Sequence, residues 1–146
     1  MERMIVNVTV VVRDYDEAIA FYTRVLGFEL IEDIALGEGK RWVRVAPAKS
    51  NGTCLVLAKA VGSEQQSRIG NQTGGRVAFF LHTRDFDRDH REMKVLGVRF
   101  EEDPRDEAYG KVAVFVDLYG NRWDLVELNL ADSGMPADEA DARGLV

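Results

Sequence analysis

The chain has 146 residues, 46% of them hydrophobic and 30% charged, the proportions of one globular domain large enough to bury a core. Its net charge of −6, with no basic run to offset it, argues against nucleic acid or an anionic membrane as partner. The lone Cys54 cannot close an internal disulfide, which suits a reducing cytoplasm, and no stretch reaches the ~18 apolar residues of a membrane span.

Residues 5–12 are β-branched almost throughout and predict a strand with a buried face. Asp14 follows as helix N-cap, with Glu17 three residues later in capping-box position. Ala18, Ile19, Tyr22, Val25 and Leu26 recur at helical spacing, and Gly27 supplies a left-handed C-cap. Strands are predicted at 28–34, at 41–46 after the Gly37-Glu38-Gly39 turn, and at 53–58 after Asn51-Gly52. The polar, Gly-rich stretch 59–75 has no periodicity and is expected to be a linker.

The chain then writes the same text again. Asp14 finds its match 71 residues on at Asp85, whereas Gly27 and Asp33 find theirs 70 residues on at Gly97 and Asp103. One residue has therefore dropped out of the second helix, and the rest of the register holds. A strand at 77–83, a helix capped by Asp85 and Gly97, and strands at 98–102, 111–117 and 122–128 complete the second copy. His90, on that helix, is expected to face solvent. The expected organisation is a single domain over 1–130, with module one at 5–58, the linker at 59–75 and module two at 76–130. Residues 131–146, acidic and poor in large apolar side chains, are expected to be a disordered tail.

Two βαβββ modules carrying Val10-Val-Val-Arg-Asp14, Ala20-Phe21-Tyr22 through Leu26-Gly27-Phe28, and Asp117-Leu-Tyr-Gly-Asn-Arg-Trp-Asp124 resemble the vicinal oxygen chelate superfamily. That superfamily includes glyoxalase I, bleomycin-resistance proteins and extradiol dioxygenases. The resemblance implies an α+β fold in which two four-stranded sheets curl into a cup, each backed by a helix, in a homodimer. Strand alternation then sorts side chains between helix and cup. Asn7, Thr9 and Val11 on the first strand, Trp42 and Arg44 on the third, and Cys54 and Val56 on the fourth are expected to face the cup. In module two, Ala78, Phe80 and His82 on the first strand and Arg122, Asp124 and Val126 on the last are expected there. A mostly apolar surface with a few polar groups is the makeup of a small-molecule pocket. Asn7, Thr9, Trp42, Arg44, Val56, Ala78, Phe80, His82, Arg122 and Asp124 are therefore the candidate ligand-binding residues.

Metal-dependent relatives place ligands near the start of the first strand and on the last strand of each module. Carried onto this sequence, those positions are Asn7, Val56, Ala78 and Asp124. Valine and alanine have no lone pair to offer, so no cofactor is expected, although a weak or recruited Zn, Ni, Fe or Mn remains an alternative. The reading is thus a protein that binds a small organic molecule in the cup without metal. One alternative is a lyase, isomerase or oxidoreductase of the glyoxalase or dioxygenase type, with Asp124 as the candidate catalytic base. Another is a structural dimer module with no ligand.

Overall fold

The computed structural model describes residues 2–129; the expectation of a disordered tail at 131–146 lies outside them. The fold is α+β, and the chain divides into two compact units. The first comprises residues 2–72 together with Leu118–Gly120, and the second Thr73–Asp117 together with residues 121–129. No described helix is long and apolar enough to cross a membrane.

Unit one contains β1 (Asn7–Val12), α1 (Tyr15–Ala20), a π-helical turn (Phe21–Val25), β2 (Phe28–Gly37), β3 (Lys40–Pro47), β4 (Cys54–Lys59) and α2 (Gly62–Ser67). Its sheet runs β1-β4-β3-β2, with β1 and β4 parallel. Val10, Val12, Val43, Val45 and Leu57 are wholly buried with Ala18 and Tyr22 of the helix. Each such branched side chain contributes about 1.5–3 kcal/mol on leaving water. The stretch expected to be a linker contains α2, a short polar helix that buries none of its residues and so leaves no periodic apolar signal.

The extra residue of the first helix appears as the π-helical turn. Leu26 N–H donates to Phe21 O, five residues back, at 3.1 Å, and the Thr23 hydroxyl donates to Ile19 O at 2.7 Å. A π-turn absorbs one inserted residue while leaving the flanking helical faces in phase. Asp14 caps α1 as expected, accepting from Glu17 N at 2.8 Å. The Glu17 carboxylate does not close the box directly. Tyr119 of the Leu118–Gly120 turn stands between, its hydroxyl accepting from Asp14 N at 3.3 Å and donating to Glu17 Oε1 at 2.8 Å. The hydrogen bonds from Arg13 and then from Tyr119 hold the Glu17 carboxyl below its ordinary pKa, while burial pushes the Tyr119 phenol up.

The β2–β3 hairpin turns through Glu38 and Gly39 at φ of 55° and 77°. Two successive left-handed residues mark a type I′ turn, which favours Asn-Gly over Glu-Gly. Glu38→Asn is expected to raise stability by about 0.5–1 kcal/mol in urea unfolding. A loss would mean that the glutamate side chain supports the turn.

Unit two contains β5 (Val77–His82), α3 (Phe86–Val95), β6 (Arg99–Phe100), β7 (Arg105–Glu107), β8 (Gly110–Val116) and β9 (Arg122–Leu128). Its sheet has five strands rather than the expected four: β5-β9-β8-β6, with β7 also on β8. The single strand expected at 98–102 is replaced by two short ones flanking Pro104, which has no N–H to give a ladder. Behind this sheet an aromatic chain runs from Phe79 through Trp123, Phe115 and Phe100 to His90 and Phe86, successive ring centroids 4.3–5.7 Å apart. His90 is consequently not the solvated side chain expected. It is half-buried between Phe86 and Phe100, and that burial lowers its pKa. Asp117 closes the final turn, accepting from Asn121 N and Nδ2 at 3.0 Å and from Trp123 Nε1 at 3.3 Å.

Candidate functional site

Each sheet has one face covered by its helix and one face free of it, and the candidate residues other than Ala78 alternate onto the free faces. In unit one, register places Asn7 beside Cys54, Thr9 beside Val56, and Arg44 beside both Val56 and Glu32. Glu32 was not among the sequence candidates. A register shift between Leu30 and Glu32 moves it onto the Arg44 face, and alternation counted along the strand cannot foresee such a bulge.

Glu32 is the hub of this face. Its Oε1 accepts from Arg44 Nε at 2.6 Å and from Trp42 Nε1 at 3.3 Å. Arg44 Nη1 also reaches Asn7 Oδ1 at 3.4 Å and Cys54 Sγ at 3.2 Å. The Arg44 guanidinium, and after it the Trp42 indole, hold the Glu32 carboxyl below its ordinary pKa. Arg44, expected to orient a ligand, is thus committed to its own sheet, and it fixes Trp42 through the shared carboxylate. Trp42 and Val56 help to line a depression of about 950 Å³ at the end of the sheet, together with Tyr15, Leu36, Val61 and the start of β3. Thr9 lies on the outer edge of β1, where its carbonyl accepts from the Gln72 amide and Val11 N donates back to Gln72 Oε1 at 2.9 Å.

In unit two the register contains a slip. Val77 pairs with Arg122, yet Phe79 pairs with Trp123, so Ala78 is the extra residue of a β-bulge. Val77, not the expected Ala78, therefore shares a face with Asp124, and it lines a depression of about 370 Å³ with Gly75, Arg76, Phe80 and Asp124. Phe80 is 63% exposed beside Asp124. On the other flank Asp124 pairs with Val114 of β8, whose N–H donates to Glu102 at 3.0 Å. Glu102 is itself held by Arg105 at 2.9 Å. Arg122 donates to Gly75 O at 3.1 Å and pairs with Glu101 at 3.0 Å, and His82 sits farther along β5 beside Val126.

Asp124 is the exception to this pattern of satisfied polar groups. Its Oδ1 is buried and has no hydrogen-bond partner among the described residues. Burial pushes its pKa up; the positive charge of Arg105 pulls it partly back, and the Glu102 carboxylate adds to the rise. An unpaired buried acceptor costs about 1–3 kcal/mol, so a carboxylate kept here needs a compensating role.

The four positions at which metal-dependent relatives bind their ion do not form a donor set. In unit one Asn7 Oδ1 already accepts from Arg44 and Val56 has nothing to give. In unit two neither Val77 nor Ala78, at the strand position that would complement Asp124, has a side-chain donor atom to offer. Among the described residues no three His, Cys, Asp or Glu side chains gather closely enough to hold a metal ion.

With one βαβββ unit, its five-stranded counterpart and these free faces established, comparison with known proteins places the chain. Residues 4–125 match the Glyoxalase/Bleomycin resistance protein/Dioxygenase superfamily, and the chain belongs to it. An uncharacterized protein of Shewanella frigidimarina (strain NCIMB 400) is 54% identical over 130 residues, 88% of this chain and 96% of that one. Among solved structures, UcmS2 superposes with a TM-score of 0.76 at 31% identity, covering 86% of this chain and 98% of its own. TnmS3, an antibiotic-binding protein from Streptomyces sp. CB03234, superposes with a TM-score of 0.70 at 28% identity, over 88% and 98% of the two chains.

Proposed function

We propose that this chain is a small-molecule-binding member of the superfamily that retains a ligand rather than transforming it, without recourse to a metal ion. The observation that carries the reading is Asp124, whose buried Oδ1 lacks a partner among the described residues while exposed Phe80 stands beside it. A carboxylate in that setting is completed by an N–H or O–H of a bound molecule, and the phenyl ring offers it a stacking surface. The likeness to TnmS3 supports an antibiotic-like organic molecule as ligand class. We further propose a cytoplasmic homodimer. Met4, Ile5 and Val6, and Leu30, Ile31, Ile34 and Leu36 of edge strand β2, are exposed apolar residues that a second copy would cover.

A thermal-shift screen of the full chain tests this, with polycyclic and glycopeptide antibiotics and with or without a chelator. A true ligand at 100 times its Kd stabilises by about 2.7 kcal/mol. Stabilisation that appears only with added Zn, Ni, Fe or Mn would overturn the metal-free reading, and the absence of any stabilising compound would overturn ligand binding. The raised pKa of Asp124 favours one competing reading, in which it acts as a general base on the bound molecule. Recovery of the ligand chemically unchanged after prolonged incubation would exclude that competitor.

A further inference from the structure

We infer that the depression at the end of unit one's sheet receives an aromatic molecule bearing an anionic group, with the ring against Trp42 and the anion between Lys40 and Lys59. This deepens the small-molecule reading and rests on it.

The walls set the first half of the inference. Trp42, Val56 and Val61 supply aromatic and aliphatic lining. The Trp42 N–H is already given to Glu32, so the indole presents its ring as a fixed wall rather than as a donor in search of a partner. Fixed aromatic walls favour flat apolar bodies, which stack on them at little entropic cost.

Charge sets the second half. The chain as a whole is acidic, at −6, yet Lys40, Arg41 and Lys59 line this depression against a single lining acid, Glu38. Nearby acids are spoken for. Asp33 and Asp16 pair with Arg41 at 2.6 and 2.8 Å, and Glu32 with Arg44 at 2.6 Å. That leaves Lys40 and Lys59 without an ion-pair partner among the described residues, one at the start of β3 and one at the end of β4. Two uncommitted ammonium groups beside a half-enclosed apolar surface attract a carboxylate, sulfonate or phosphate carried on an aromatic ring. A cationic molecule, which net charge alone would favour, meets the wrong sign of charge here.

The test compares 1-anilinonaphthalene-8-sulfonate with its uncharged counterpart N-phenyl-1-naphthylamine, by fluorescence titration of the full-length protein. The wild type is expected to bind the sulfonate more tightly, and added salt should erode the difference. Lys40→Gln/Lys59→Gln, both at exposed positions, should weaken the sulfonate by about tenfold and leave the neutral probe unchanged. Glu38→Asn should tighten the sulfonate, and Trp42→Leu should weaken both probes. Equal affinities that ignore the lysine changes but respond to Trp42→Leu would overturn the charge preference while leaving this depression a ligand site. Binding that ignores Trp42→Leu altogether would overturn the assignment of this depression, and an Asp124→Asn substitution would then decide the binding reading separately.

Discussion

Gly70→Ala is expected to destabilise the protein by about 3 kcal/mol, whereas Gly27→Ala should cost only about 1. The two glycines share the same positive φ, 72° at each. A methyl at Gly27 meets nothing within 4 Å, so only the left-handed conformation is penalised. A methyl at Gly70 would stand 1.8 Å from Tyr119 O and 2.6 Å from its carbonyl carbon. Those are backbone atoms of the turn whose hydroxyl completes the cap of α1, so relief would pull Tyr119 away from Asp14 and Glu17. Urea unfolding of both variants measures the difference, and equal losses would show that Gly70 is chosen for its torsion angles alone.

Asp124→Asn is expected to weaken a ligand that completes this carboxylate by about 10–100-fold, the loss of one hydrogen bond to a charged acceptor. Stability should move the other way, rising by about 1 kcal/mol at neutral pH, a value kept low because the carboxyl retains solvent contact. The pH dependence has a definite sign. Asp124's pKa is raised by folding, so the folded chain binds its proton more tightly than the unfolded chain does. The wild type therefore carries no penalty in acid, and it loses stability as pH rises from the ordinary carboxylate value through the raised one. The advantage of the Asp124→Asn variant should open across that interval and stay constant above it. A variant that is less stable than the wild type at neutral pH would show that the carboxylate is satisfied in solution, and would remove the observation on which the binding reading stands. Denaturant melts at pH 4 and pH 7 decide between these outcomes.

Much of the fold was legible because duplication prints its period directly. The change of offset from 71 to 70 marks one residue lost between two capped helices, and the structure spends the surplus as a π-turn. Alternation suffices to put Val56 on the face of Arg44 and Trp42, and Phe80 on the face of Asp124, because register holds at those pairs. Alternation failed at bulges, which shift one strand by a residue and leave no mark in composition. That is why Val77 replaces Ala78 beside Asp124, and why Glu32 went unnoticed as the hub holding Arg44 and Trp42. His90 misled for a related reason: a histidine among charged neighbours looks solvated until two rings from different elements, Phe86 and Phe100, close on it. The isolation of Asp124 Oδ1 was also beyond reach, because an absent partner is a property of three dimensions.

Tyr119 and its neighbours Leu118 and Gly120 belong to the first unit, although residues 73–117 intervene in the chain. A ribosome making this protein releases β1 through α2 long before it releases the hydroxyl that sits on the cap of α1. The cap of α1 therefore stays open during synthesis until nearly all of the second unit has emerged.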